Sequence, residues 1–198
     1  TVCAGQIFVW RGCRAGGRSL GTISGMIHVA GNIFLVGLMG AGKTTIGRYL
    51  AEMLHWHFLD SDHEIEARTG ASIPWIFDKE GEDGFRRREE SMIAELTRLR
   101  HVVLATGGGA VLRQSNRQHL HQRGTVIYLD TPVSMQLERT AMDRNRPLLQ
   151  TPNPEQRLIE LLRVRDPLYR ETAHLVIPTT DGCARDLAQR ILFSLSAL

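Results

Sequence analysis

Residues 37–44 read Gly-Leu-Met-Gly-Ala-Gly-Lys-Thr, the spacing G-x-x-x-x-G-K-[ST]. Those residue types in that order suit one task, the binding of a nucleotide's phosphates. Glycines let backbone N–H groups converge without a Cβ in the way, forming a nest for an anion. A helix that follows aims its N-terminal N–H groups and positive dipole end at the same place. Lys43 supplies a cation for the β- and γ-phosphates, and the Thr44 hydroxyl a ligand for Mg²⁺. The flanks fit this reading: Ile33–Val36 is an apolar run of the buried-strand kind, and Thr44–Leu54 carries Ile46, Tyr49, Leu50, Met53 and Leu54 at helical spacing.

A second set of residues suggests what would receive a phosphoryl group. Asp60 and Asp62 follow a short strand at 57–59, and a spacing of two in extended chain sends both carboxylates to one side. Arg86, Arg87 and Arg88 open a helix after Gly84, Thr106-Gly107-Gly108-Gly109 ends a strand at 102–105, and Arg144, Arg146 and Arg165 come late. Guanidinium groups suit a carboxylate and aspartates suit hydroxyls, so the expected acceptor is a small acidic polyhydroxyl molecule. Plainer readings stand beside this one: Asp60 suits a helix N-cap, Arg87 and Arg88 suit a solvated helix face, and three glycines suit a loose turn. The switch GTPases are excluded, because Lys79, the only lysine besides Lys43, is followed by Glu80-Gly81-Glu82 and no N-K-x-D segment exists. A motor ATPase would need far more chain.

These residues need a frame, and the hydrophobic pattern supplies one. Strands are expected at 33–36, 57–59, 102–105, 125–129 and 175–177. Helical stretches are expected at 44–54, 63–69, 72–80, 85–98, 115–122, 132–139, 154–163 and 182–195, with Gly81 and Gly84 breaking the third from the fourth. Residues 143–154 hold three prolines and no periodicity, and read as a loop long enough for a lid. Strands alternating with helices imply a parallel sheet covered on both faces. The helical block 63–98 exceeds a plain crossover and reads as a small insertion after the second strand.

Composition agrees with one domain: 198 residues, 42% hydrophobic and 23% charged. The formal charge of +3 belongs to the first 25 residues, which hold Arg11, Arg14 and Arg18 and no acid; the remainder carries 21 basic and 21 acidic groups. A positive face for nucleic acid is therefore not expected, nor is a membrane partner, since no apolar run reaches transmembrane length. Cys3, Cys13 and Cys183 are odd in number and lack metal-ligand spacing, which points to a reduced, cytoplasmic protein. Residues 1–31 read as an unstructured or spuriously assigned N-terminal extension, with Met26 the expected true start, and 32–198 as the catalytic domain.

The sequence from 33 to 195 resembles the shikimate kinase family. The resemblance rests on GLMGAGKTTIGRYLA at 37–51, Asp60-Ser61-Asp62-His63-Glu64-Ile65-Glu66, and Ile73-Pro74-Trp75-Ile76-Phe77 followed by Gly81-Glu82-Asp83-Gly84-Phe85-Arg86 and Glu89. Gly107–Gly109, Arg146-Pro147-Leu148-Leu149 and Arg165-Asp166-Pro167-Leu168-Tyr169 continue it in the same order.

The resemblance implies an α/β three-layer P-loop kinase fold, a five-stranded parallel sheet of order 2-3-1-4-5, with an acceptor-binding helical region at about 60–98 and a lid at about 140–154. It implies transfer of the γ-phosphoryl of ATP to the 3-hydroxyl of shikimate, in the route to chorismate and the aromatic amino acids, with Mg²⁺ as cofactor and a monomer as the working unit. Gly40, Ala41, Gly42, Lys43, Thr44 and Thr45 would hold ATP, helped by the lid arginine Arg146. Asp62 would hold the acceptor's hydroxyls and assist deprotonation, Arg86 and Arg165 would bind its carboxylate, and Gly108 would contact it through the backbone. Thr44 would ligate Mg²⁺ directly and Asp60 through water. Lys43, Asp62 and Arg146 would thus carry the catalysis. Thr180-Asp181-Gly182 departs from members that bring an arginine or glutamine to adenine there, so backbone contact is expected instead. A gluconate kinase lacks the D-x-D-x-x-I-E and G-G-G segments, and a non-catalytic nucleotide-binding module has no need of an acceptor site.

Overall fold

The computed structural model describes residues 31–141, 151–179 and 182–196. Five strands form one parallel sheet in the order β2-β3-β1-β4-β5, as expected. They are β1 (Asn32–Val36), β2 (His57–Asp60), β3 (Val102–Ala105), β4 (Gly124–Asp130) and β5 (Leu175–Pro178). β1 is central: Ile33 lies opposite Val103 on one side and Thr125 on the other. The less buried sequences fall to the edges, where β5 ends at a proline that an inner strand would not tolerate.

Alternate residues of β1 face opposite layers, which is why the run is continuously apolar. Ile33 and Leu35 pack with Ile46 and Leu50 of α1 (Lys43–Leu54) and with Ile191 and Leu195 of α7 (Ala184–Leu195). Phe34 and Val36 face the other layer. There Ile93 of α3 (Ile73–Leu96), Leu120 of α4 (Gln114–Arg123) and Leu158 of α6 (Pro154–Thr172) close a second core. Full burial of each such side chain is worth about 1.5–3 kcal/mol relative to exposure. α2 (Ser61–Thr69) and α5 (Val133–Thr140) complete the helices.

Two expectations need correction. Gly84 does not break a helix: α3 runs from 73 to 96 with one non-helical residue, Gly81, at φ 70° and ψ 179°. That kink folds Glu80 against Gly84, where an added Cβ would overlap the Glu80 Cβ. Gly84 is thus a packing glycine. The helix expected at 154–163 continues to Thr172, straight through Pro167. The proline forfeits one backbone bond, but Leu158, Leu161, Arg165, Tyr169 and Thr172 are buried along one face, and that burial outweighs the lost bond. Residues 142–150 of the expected lid, Arg144 and Arg146 with them, lie outside the described residues, as do 1–30 and Thr180-Asp181.

Candidate active site

Parallel strands put their carboxyl ends on one edge, so loops far apart in sequence meet there. Residues 37–42 after β1, Asp60 at the end of β2 and Thr106–Gly109 after β3 all do so.

In the phosphate loop, Gly37, Gly40 and Gly42 take φ of 141°, 77° and 88°, a region that side chains with a Cβ avoid. Gly42 begins α1 with no side-chain cap, so the helix's first N–H groups are left for an anion. The loop is braced by α5: a Cβ on Gly40 would stand 2.9 Å from the Gln136 carbonyl, and Arg139 Nη1 donates to the Gly40 carbonyl at 3.3 Å. Lys43 Nζ donates to the carbonyls of Gly37 (2.7 Å) and Leu38 (2.9 Å), which holds the ammonium over the loop. Gly42 and Thr45 open onto a cleft of about 390 Å³ whose far wall is Arg139, Gly182, Asp186 and Arg190.

Asp60 does two jobs at once. Its Oδ1 caps α2 by accepting from the Asp62 N–H at 3.1 Å, while its Oδ2 accepts from the Thr44 hydroxyl at 2.9 Å. A hydroxyl and a carboxylate side by side, next to a phosphate nest, are the hard oxygen donors that Mg²⁺ takes alongside phosphate oxygens. Among the described residues no group of three His, Cys, Asp or Glu could hold a metal without such help.

On the acceptor side the charges are buried and close. Arg86 and Arg165 are 6% and 4% exposed, and Glu89 is wholly covered. Arg86 Nη1 donates to Glu89 Oε2 at 2.6 Å and Nη2 to Glu82 Oε1 at 3.1 Å. Arg165, on α6, donates through Nη1 to the Gly108 carbonyl at 3.2 Å. Burial, then the charges of Glu89 and Asp60, push the Asp62 carboxyl up to about 7 against the pull of Lys43 and Arg86. Burial likewise pushes Glu89 upward, with Arg86 opposing.

The triple glycine is demanded by these side chains. A Cβ on Gly107 would stand 2.6 Å from both Asp62 Oδ1 and Glu89 Oε1, and one on Gly109 would overlap the Arg86 guanidinium. Asp62 Oδ1, Glu89 Oε1 and Arg86 Nε are buried and have no hydrogen-bond partner among the described residues. Buried polar atoms of that kind are costly, and three of them at one place point to groups that a ligand satisfies. Two carboxylate oxygens ask for hydroxyl donors, and two guanidinium groups ask for an anion.

The structure therefore brings together Lys43, Thr44, Asp60, Asp62, Arg86, Gly108 and Arg165. Glu89 was given no role from the sequence, although its place one helical turn after Arg86 is the spacing of an ion pair. Tyr169, Ser61 and Arg139 were not singled out. Tyr169 sits one turn beyond Arg165, a relation hidden by the proline between them. Ser61 Oγ accepts from the Gly107 N–H at 2.9 Å, a contact no local pattern announces.

The family model for shikimate kinase matches residues 39–196. A shikimate kinase of Acinetobacter baumannii (strain AYE) is 65% identical over 161 residues, covering 81% of this chain and 89% of that protein. One from Pseudomonas putida (strain F1) is 62% identical over 167 residues, 84% of this chain and 97% of its own. Among solved structures, the Acinetobacter baumannii shikimate kinase in complex with shikimate superposes with a TM-score of 0.83 at 63% identity, covering 84% of this chain and 93% of that one.

Proposed function

The chain belongs to the shikimate kinase family and phosphorylates shikimate with ATP to give shikimate 3-phosphate, and on that premise we propose which residues perform the transfer. The carrying observation is the meeting of unpartnered Asp62 and Glu89 oxygens with Arg86 and Arg165, beside the phosphate loop.

The γ-phosphate of ATP lies on the N–H groups of residues 40–45, with Lys43 turned to its oxygens. Arg86 and Arg165 take the shikimate carboxylate, which fixes the ring's orientation. Asp62 accepts from the ring hydroxyls and aims the 3-oxygen in line with the γ-phosphorus. As the new P–O bond forms, the bond to the bridging oxygen of ADP breaks and the hydroxyl proton passes to Asp62. A carboxyl poised near 7 suits that transfer. Mg²⁺, held by Thr44 and through water by Asp60, would neutralise charge on the phosphate oxygens. Arg146, outside the described residues, is assigned to the phosphates from its place in the Arg146-Pro147-Leu148-Leu149 segment.

We take 32–198 as the kinase domain, with the acceptor-binding region at about 60–98 and a lid at about 140–154. We propose a monomer as the working unit, as the family resemblance implies. Among the described residues no helix is long and apolar enough to cross a membrane. The need for ATP is what places the proposed reaction in the cytoplasm.

The test is ADP formation by the full chain with ATP and Mg²⁺, measured with shikimate, with gluconate and with neither. Strong stimulation by shikimate alone is expected. Equal rates in all three would sink the reading.

A further inference from the structure

The three glycines after β3 are held unevenly. The Gly107 N–H goes to Ser61 Oγ, the Gly107 carbonyl accepts from the Ala110 N–H, and the Gly109 carbonyl accepts from the Leu112 N–H. The Gly108 carbonyl has no backbone partner among the described residues. It accepts instead from two side chains of α6, the Tyr169 hydroxyl at 2.5 Å and Arg165 Nη1 at 3.2 Å. The N–H groups of Gly108 and Gly109 make no hydrogen bond to any described residue.

Tyr169 is built to hold its end. It is 1% exposed, and its ring stacks on Tyr128 with centroids 4.9 Å apart. The Tyr128 hydroxyl is not part of the Gly108 contact and donates elsewhere, to Asp166 Oδ1 at 2.9 Å. Burial raises the Tyr169 phenol well above its ordinary range, so it stays a neutral donor. A trans peptide is planar, with C=O and N–H pointing opposite ways, so fixing the Gly108 carbonyl toward α6 turns the Gly109 N–H away from it. The same residue touches the phosphate loop: the Cβ position of Gly108 lies 3.5 Å from Met39 N and 3.8 Å from Arg165 Nη1.

We infer that Tyr169 is a positioning residue for the transfer, its hydroxyl locking the Gly108 peptide so that the acceptor's backbone donors, Arg165 and the phosphate loop keep one mutual register. It need not touch either substrate. The inference rests on the acceptor site proposed above and adds to it a residue that acts through the backbone. A loose Gly108 peptide would leave ATP bindable while weakening the hold on the acceptor and letting it drift from the in-line position, and a misplacement of about 1 Å costs on the order of 10²-fold, shared here between KM for the acceptor and kcat.

Tyr169→Phe keeps the ring and its stack and removes only the donor. The expected result is a KM for shikimate raised about tenfold and a kcat lowered severalfold, with the Kd of ATP by calorimetry unchanged within twofold. Tyr128→Phe is the control, since it deletes a hydroxyl from the same stack without touching Gly108; its KM for shikimate should match the wild type. Arg165→Ala should raise that KM strongly. If Arg165→Ala raises it and Tyr169→Phe does not, the lock is wrong and the acceptor site stands. If neither does, the acceptor site itself is wrong and the lock falls with it. Equal effects of Tyr169→Phe and Tyr128→Phe, or weakening of ATP by Tyr169→Phe, would mean general loosening of the fold and would overturn the inference.

Discussion

Asp62 carries a charge that its surroundings discourage, and the acceptor's hydroxyls are what make that charge useful. Asp62→Asn keeps the volume but offers an NH₂ where an acceptor is needed. Removal of one partner from a desolvated charged contact costs about 2–5 kcal/mol, or roughly 30- to 4000-fold. That loss is expected in kcat/KM for shikimate, with the Kd of ATP unchanged; a loss under threefold would remove Asp62 from the acceptor site. Gly109→Ala reaches the same site from the backbone. Its methyl would occupy the place of the Arg86 guanidinium, which is tied to Glu89 and has little room to retreat. KM for shikimate should rise about tenfold or more, as expected for disturbing a buried charge pair; a wild-type KM would show that Arg86 moves freely. The spacing of Gly37–Thr44 made the phosphate loop legible at this scale, because local chain geometry alone creates it. The need for glycine at 107 and 109 was legible only as ligand approach, since the protein side chains that require it come from α2 and α3.

At the scale of the element, α3 owes its shape to one residue. Gly81 at φ 70° and ψ 179° occupies a region essentially closed to other residues, at a cost of about 1–3 kcal/mol for a side chain placed there. Across the kink, Arg88 grips Glu80 through Nε at 2.8 Å and Nη2 at 2.6 Å. That exposed pair is worth at most about 1 kcal/mol, so the glycine and not the ion pair permits the bend. Gly81→Ala should therefore lower stability by about 1–3 kcal/mol in urea unfolding. A change below about 0.5 kcal/mol, the ordinary range of surface substitutions, would show that α3 straightens at no cost. The break at Gly81 could be read from sequence because glycine marks such backbone. The length of α6 could not, because Pro167 argues locally for a stop while the buried face from Leu158 to Thr172 is settled by packing against other elements.

For the whole molecule, the join between β4 and β5 sets a response to acid. His174 donates its backbone N–H to the Val126 carbonyl at 2.9 Å, and its ring Nδ1 accepts from the Val126 N–H at 3.0 Å. The His121 ring stacks on it at 4.2 Å. Burial, then His121, holds His174 below its ordinary value. The unfolded chain therefore binds the proton more readily. The stability His174 contributes is complete above about 6.5, the unperturbed value, and is lost as pH falls from there through the lowered folded value. Unfolding free energy should decline over that window, and less steeply in His174→Gln; identical slopes would exclude this histidine as the source. The strand order has a different consequence, for a chain still being made. β1 is the apolar centre of the sheet, yet both neighbours come late: Ile33 meets Val103, and Asn32 meets Gly124. At about 5–20 residues per second, a ribosome leaves that strand without its second partner for roughly 5–20 s. During that interval the apolar centre of the sheet has at least one bare edge, so the nascent chain holds a strand open to wrong pairing until β4 has emerged.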